Sequence, residues 1–392
     1  MLVAQKNTPA GYVLPIIVIA QVCCTSLWFA SNGVMDDLIS DFNLLPQALG
    51  GLTSAVQFGF ISGTLIFALF SFADRFSPSV VFLFCAISGA VANLGVIWSG
   101  HVFWSLLVLR FLTGFFLAGI YPVGMKIAAD YFAEKLGRSL GFLVGALVIG
   151  TAFPHLLKVV TTQHLSWQAV LMTTSGLAIF GGMIMWLFIP DGPYRKAGQR
   201  LDGRAIFDVF KYPKFRAAAF GYFGHMWELY AFWAFVPVML ATYQSLHPAV
   251  NTAISWWSFW VISIGGLACV ISGQLSLKFG TAKTARTALI LSGGCCFLSP
   301  LFFYTPFPVF MIFLFFWGMV VIADSPLFST LVANNAPPEI KGTALTLVNC
   351  LGFSITIISI QLLTWMGELV PGNWLFVVLG LGAIVGYFSS RD

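Results

Sequence analysis

The stretch DGPYRKAGQRLDGRAIFDVFKYPKFR, residues 191–216, is the longest hydrophilic run in the chain. It holds seven basic residues: Arg195, Lys196, Arg200, Arg204, Lys211, Lys214 and Arg216. On both sides the sequence is apolar almost without pause. Of 392 residues, 59% are apolar, 16% aromatic and 8% charged, and the mean hydropathy is +0.91. A soluble domain carries about 25% charged residues. The composition therefore excludes an ordinary cytosolic enzyme, a nucleic-acid binder and a disordered chain. A membrane-crossing helix needs about 20 apolar residues. Six such runs precede the central stretch, at 12–34, 47–70, 79–99, 103–125, 139–160 and 167–190. Six follow it, at 216–240, 252–275, 284–304, 307–331, 343–366 and 372–390. The reading is an all-α membrane protein of twelve transmembrane helices. It has a six-helix bundle over 1–190, a cytoplasmic linker over 191–215 and a second six-helix bundle over 216–392.

Charge placement orients the chain, because Lys and Arg gather in cytoplasmic loops. With the amino terminus inside, the inner segments hold Lys6, Arg75, Lys126, Lys135, Arg138, the seven linker bases, Lys278, Lys283, Arg286, Lys341 and Arg391. Only Lys158 falls outside, and Arg110 lies within the fourth span. The first outer loop is acidic, with Asp36, Asp37 and Asp41. Both termini inside requires an even number of spans, so the charges support twelve independently. The first run is too long for a signal-peptide core and has no cleavage site, so it reads as retained. Seven cysteines, all in apolar runs, point to packing and not to a disulfide framework or a zinc site. No permitted N-glycosylation acceptor occurs, which fits a bacterial inner-membrane protein.

A shift of about 204 residues superimposes the two halves. Arg75-Phe76 falls on Lys278-Phe279, Gly114 on Gly318 and Pro122 on Pro326; Glu134 and Gly137 fall on Glu339 and Gly342. Asp74-Arg75 follows the second span, and Arg110-Phe-Leu-Thr-Gly114 lies in the fourth. With two six-helix halves and a basic linker, the chain resembles the major facilitator superfamily over nearly its whole length. That family's loop motif, Gly-x-x-x-Asp-Arg/Lys-x-Gly-Arg/Lys-Arg/Lys, survives here only in its Asp-Arg core. The second copy, Gly273 to Gly280, keeps both glycines and Lys278 but has Leu277 in place of the acid. The glycine-proline signature of the family's drug antiporters is absent from the fifth span.

The resemblance implies that spans 1, 4, 7 and 10 line a central cavity. The charged or titratable side chains at membrane depth fall on these helices: Arg110 on span 4, His225 and Glu228 on span 7, and Asp324 on span 10, with His155 in span 5 as a borderline addition. Each is costly there and needs a reason. A guanidinium stays charged, so Arg110, sharing a face with Gly114, Ala118 and Tyr121, requires an anionic substrate, a carboxylate partner or water. His225 and Glu228 are three apart and share a face with each other. A carboxyl removed from water favours its neutral form and an imidazole titrates near neutrality, so the pair suits proton coupling; a permanently neutral, hydrogen-bonded Glu228 is the alternative. Asp324, before Ser325-Pro326, reads as a second protonation site, a substrate contact or an inner-gate contact. Gln21, Thr25, Trp28 and Asn32 share one face of span 1, as a polar cavity wall or as interhelical glue. Tyr222 on span 7 and Asn349 on span 11 complete the candidate site; Thr346, Thr356 and Gln361 on span 11 read as packing. Asp74, Arg75, Asp130 and Lys278 form the candidate cytoplasmic gate, with Arg75 expected to pair with Asp130. The repeat equivalents of Asp74 and Asp130 are Leu277 and Asn334, so the second half is expected to carry a weaker latch.

These residues point to a secondary transporter that moves a small polar or anionic organic solute by alternating access, with protons as the coupling ion. The other transport reading is an exporter of amphipathic or cationic compounds. A non-transporting sensor is disfavoured by tails of only a few residues. An enzyme is disfavoured by the lack of metal-ligand spacing, nucleophile-base sets and a phosphate-binding loop. No cofactor or metal is expected. The expected partners are a small-molecule substrate, protons and membrane lipids, with no nucleic acid, and the chain is expected to be a monomer.

Overall fold

The computed structural model describes residues 11–132, 136–161, 166–195, 208–337 and 340–390, with 136–138 and 161 by backbone only. Lys6, Glu134, Lys135, His164, Lys196, Arg200, Arg204, Glu339 and Arg391 lie outside the described residues, as does the side chain of Arg138. The repeat matches and topology charges read on these positions therefore stand on sequence.

Hydrocarbon offers the backbone no hydrogen-bond partner, so an apolar run must satisfy itself as a helix. The first half contains α1 (Val13–Thr25), the short α2 (Met35–Asp41), α3 (Ala48–Leu69), the one-turn α4 (Phe72–Arg75) and α5 (Pro78–Gly95). It continues with α6 (Phe103–Leu117), α7 (Tyr121–Tyr131), α8 (Leu136–Thr161) and α9 (Gln168–Phe188). The second half contains α10 (Pro213–Leu246), α11 (Ile254–Phe279), α12 (Thr281–Phe302), α13 (Phe307–Ala323), α14 (Ser325–Asn335), α15 (Lys341–Met366) and α16 (Gly380–Ser389). Among the described residues, ten helical stretches are long and apolar enough to cross a membrane, with 103–131 and 307–335 each counting once; two shorter apolar helices, Val13–Thr25 and Leu375–Ser389, bring the crossings to twelve.

Two crossings are interrupted where the repeat predicts equivalence. The fourth breaks between α6 and α7, just before Pro122; the tenth breaks at Asp324, just before Pro326. A proline lacks the N–H that would continue the ladder. In the tenth crossing the carbonyl of Ile322, four residues before Pro326, accepts instead from the Cys269 thiol at 3.8 Å. The first crossing also loses regular helix after Thr25 and resumes as a short 3₁₀ turn at Asn32–Val34. No proline announces that break.

Within the first half, α3 packs on α6, α5 on α9, and α1 on α8 and α9. Within the second, α10 packs on α15 and α16, and α11 on α13. Small residues allow the closest approaches. A Cβ on Gly114 of α6 would strike the Val56 carbonyl of α3, and a Cβ on Gly318 of α13 would strike the Val261 carbonyl of α11. The duplicated glycines thus make the same contact in each half. The halves meet along α8 with α11 and α3 with α15. Gly145 and Gly266 face each other across the first seam. On the second, Gln361 Nε2 donates to Gly50 O at 3.0 Å and Ser54 Oγ at 2.8 Å.

The two ends of the bundle differ in charge. Asp36, Asp37 and Asp41 lie at one end, with Lys158 paired to Asp37 and the Trp167 indole bonded to Asp41 at 2.5 Å. The loop and helix-end bases, including Lys126, Arg195, Lys214, Arg286 and Lys341, lie at the other, called here the basic end. The aromatic residues partly follow the expected belt: Trp256 and Trp260 are exposed, while Trp257 packs edge-on against Phe307 and Phe315.

Candidate functional site

A cavity of about 380 Å3 lies between the halves, walled by the fourth, fifth, seventh, tenth and eleventh crossings. Its roof toward the acidic end is aromatic. Trp28 and Phe60 from the first half pack against Tyr230 and Phe353 from the second, with ring centroids 4.5 to 5.7 Å apart. Its mouth is at the basic end, beside Asn334 and the exposed Lys341. The cavity is thus closed above and open toward the basic end. Its walls are mostly aliphatic and aromatic, with hydroxyl and amide groups from Ser325, Ser329, Thr330 and Asn349. Among the described residues, Lys341 is the one charged side chain on the wall, and no carboxylate faces the cavity.

Several expected residues meet here. Tyr121 and Tyr222 line the cavity, and the Tyr222 hydroxyl donates to Asn349 Oδ1 at 3.0 Å. Trp28 forms part of the roof, with Tyr121 edge-on at 6.5 Å. The rest of the first-crossing face lies elsewhere. Asn32 Nδ2 donates to Thr53 Oγ1 at 2.8 Å, tying the first crossing to the second. Gln21 is fully buried against α7, where a Cβ on Gly124 would meet its Oε1. Trp227 donates to the Val378 carbonyl at 3.2 Å, and Trp233 is buried.

Arg110 turns away from the cavity. Its Nη2 donates to the carbonyls of Trp28 at 2.6 Å and Leu27 at 3.2 Å, and its Nη1 donates to Asn93 Oδ1 at 3.2 Å. Leu27 and Trp28 lie in the irregular segment of the first crossing, where backbone carbonyls lack regular helical partners. The guanidinium supplies those donors. Asn93 is held in turn by Leu171 O, Thr174 Oγ1 and Ser175 Oγ at 3.0 to 3.2 Å. In place of an anion or a carboxylate, Arg110 meets backbone and amide oxygens.

Two acids of the second half, Glu228 and Asp324, form a layer behind the cavity. On α10, Tyr222, Met226, Leu229 and Tyr230 face the cavity, while His225 and Glu228 face the interior of their own half. His225 Nδ1 lies 2.8 Å from Asp324 Oδ1, and both side chains are 1% exposed. Glu228 Oε1 accepts from the Trp317 indole at 2.7 Å, and its Oε2 lies 3.0 Å from Ser292 Oγ. The Ser292 hydroxyl also lies 3.1 Å from the Leu289 carbonyl. With the Ser292 hydroxyl donating to Glu228 the network suits a carboxylate. With the hydroxyl donating to the Leu289 carbonyl, Ser292 Oγ can accept from a protonated Glu228. Both protonation states are therefore satisfiable without moving a helix. His155 is buried in α8, away from this network.

At the basic end, Lys126 bridges two acids, Asp74 at 3.1 Å and Asp130 at 3.5 Å. Lys126, not Arg75, reaches Asp130. The start of the linker is strapped on beside them: Tyr194 N donates to Asp130 O at 3.0 Å, and Arg195 Nη2 donates to the carbonyls of Asp74 and Phe76 at 3.0 and 2.8 Å. Lys278 lies 5.3 Å above the Phe279 ring. Lys126 and Lys341 entered the sequence reading only as topology signals. The four-residue spacing of Lys126 and Asp130 is a local signal for that pair; nothing local marks Lys341 as a cavity residue. Ser292, Trp317 and Asn93 are partners that only the packing reveals.

A polytopic helical protein with a central cavity at the seam of two similar halves has the architecture expected of a membrane transporter. The comparisons with known proteins agree. The sequence model of the Major Facilitator Superfamily matches residues 17–360, so the chain belongs to that family. It is 26% identical over 154 residues to a putative niacin/nicotinamide transporter of Bacillus subtilis, and 21% identical over 271 residues to an uncharacterized MFS-type transporter of the same organism. These matches cover 39% and 66% of this chain, and 38% and 63% of the relatives. Among solved structures, a bacterial homolog of the human lysosomal transporter Spinster, inward-facing and unoccupied, superposes with a TM-score of 0.72 at 13% identity, over 97% of this chain and 96% of that one. The nucleoside transporter NupG gives 0.74 at 14% identity, over 96% and 98%. At such identities the likeness speaks for the fold. The protein is an integral multi-pass membrane protein of that superfamily.

Proposed function

We propose that this transporter moves an organic solute with an apolar body and a neutral or anionic polar group, by alternating access, and that proton movement at His225, Asp324 and Glu228 drives it. The cavity wall supports the solute class. Its apolar and aromatic surface suits a hydrophobic body, its hydroxyls and amides suit a polar group, and Lys341 at the mouth favours an anion over a cation. Among the described residues, a cationic substrate would find no carboxylate on the wall. The solute's anionic group, if present, is assigned to Lys341 and the Tyr222–Asn349 pair, with Arg110 holding the first crossing in shape.

The observation that carries the coupling reading is the His225–Asp324 pair, 2.8 Å apart and buried at the break of the tenth crossing. The next residues, Ser325 and Pro326, are cavity wall. A proton gained or lost at Asp324 changes the charge balance where the wall bends, so it biases the two arrangements of the helix differently. The basic end is assigned to the cytoplasm of a bacterial inner membrane, following the placement of Lys and Arg. The bridge from Lys126 to Asp74 and Asp130 is then the resting place of the gate acids while the cavity is open inward.

The test uses purified protein in proteoliposomes with an imposed pH gradient. Nicotinic acid, D-galactonate, nucleosides, a small set of amphipathic organic acids and a matching set of organic cations form the panel, the first three being named for relatives and fold neighbours. Wild-type protein should accumulate at least one neutral or anionic member with the gradient, and Glu228→Gln should reduce that accumulation. Accumulation restricted to organic cations would overturn the solute class. Accumulation unaffected by the gradient would overturn the coupling.

A further inference from the structure

A second cavity, of about 450 Å3, lies beside the central one and shares two wall residues with it, Pro326 and Thr330. Its other walls are α8, through Gly141 and Phe142, and α11, through Cys269, Gly273 and Leu277. The shape follows from how these two helices cross. At Gly145 and Gly266 they touch: a Cβ built on either glycine would lie 3.3 to 3.4 Å from the other's carbonyl oxygen. Toward the basic end they part. A Cβ built on Gly141 or on Gly273 would meet nothing within 4 Å. One turn along α8 is about 6 Å, and two turns along α11 are about 10 Å, so the splay opens a slot over that length.

The outer rim of the slot is exposed and apolar. Leu277, on the slot wall, is 89% exposed, and Leu275 and Phe279 beside it are also exposed. Lys278 and Lys283 stand next to this rim, at the depth where bases meet headgroups. Inside, the slot is largely apolar with polar rungs at Gln274, Ser276, Thr281 and Thr330. No charged side chain is on its wall among the described residues. The rungs end at Thr330, where the central cavity and its Lys341 begin.

We propose that the solute is a single-chain amphiphile with a neutral or anionic head, and that it passes between the central cavity and the basic-end leaflet sideways, through the slot between α8 and α11. The head follows the polar rungs toward Thr330 and Lys341 while the chain stays in apolar surroundings throughout. This rests on the reading of the central cavity as the solute site. Charge complementarity selects the occupant: an anionic head finds Lys341, and among the described residues no carboxylate lines either cavity.

The experiment uses two photoreactive probes on full-length protein in proteoliposomes, a diazirine-bearing palmitate and a water-soluble diazirine-bearing butanoate, with labelled peptides mapped by mass spectrometry. In the wild type, palmitate should label slot residues and central-cavity residues, while butanoate should label the central cavity through the mouth. Gly273→Trp should remove central-cavity labelling by palmitate and spare that by butanoate. Gly141→Trp, from the opposite wall, should do the same, and Gly294→Trp, a bulky change elsewhere with open space around it, should do neither. Palmitate labelling of the cavity that survives both slot variants overturns the lateral route and leaves the cavity reading intact. Equal loss of both probes contradicts a route separate from the mouth. A wild type in which neither probe reaches the central cavity overturns the solute reading itself.

Discussion

Arg110 shows how far spacing carries a single residue. Its burial and its helix were legible, because an unneutralisable charge in an apolar run demands partners. Its direction was not. The partners are carbonyls of Leu27 and Trp28 in an irregular segment of the first crossing that no proline marks, so sequence offered no reason to expect free acceptors there. Tyr121, Tyr222 and Asn349 lie on the cavity wall and Trp28 in its roof, each on a different crossing. His225 and Glu228 were legible as a pair but sit on the flank of α10 that turns into its own half, and periodicity cannot say which face looks at the cavity. The structural role of Arg110 makes a prediction at this scale. Arg110→Ala should destabilise the protein by about 1–3 kcal/mol for each polar group left unpaired and should depress transport of neutral and anionic solutes alike. Melting temperature in detergent and uptake of both solute types check it. A variant of normal stability that fails only with anions would restore a direct substrate contact.

At the scale of elements, the duplication was the most informative feature of the sequence. Gly114 and Gly318, matched by offset alone, make equivalent contacts on Val56 and Val261. The prolines Pro122 and Pro326 mark equivalent breaks. What the offset did not convey was that these crossings are interrupted, since a proline within an apolar run reads equally as a kink. Two predictions belong here. Gly114→Ala and Gly318→Ala should each cost about 1–3 kcal/mol through overpacking, whereas Gly141→Ala, with open space at its Cβ, should leave the melting temperature nearly unchanged. Pro326→Ala should restore the missing N–H, straighten the tenth crossing and draw Asp324 away from His225. Gradient-driven uptake should then fall while the protein remains folded, and uptake equal to wild type would show that the break is incidental.

For the whole molecule, the twelve crossings and their division into two halves of six were legible from composition, run length and charge placement, because the membrane allows few alternatives. The state of the cavity was not, since open and closed forms share one sequence and differ only in how the halves lean. The aromatic roof and the Gln361 contacts to Gly50 and Ser54 close the acidic end. Alternating access requires them to separate. In a background lacking the seven native cysteines, a short bifunctional thiol cross-linker between Ser54→Cys and Gln361→Cys should arrest transport, and cleaving the linker should restore it. Full activity of the cross-linked protein would show that this seam never opens.

The central claim is that a buried proton site one layer behind the cavity powers movement of the solute. Asp324→Asn tests it most directly, measured in proteoliposomes for gradient-driven accumulation and for solute exchange without a gradient. The account predicts that exchange persists and accumulation is lost, because the cavity is intact and only the proton-carrying group has changed. Accumulation at the wild-type level in Asp324→Asn would contradict it.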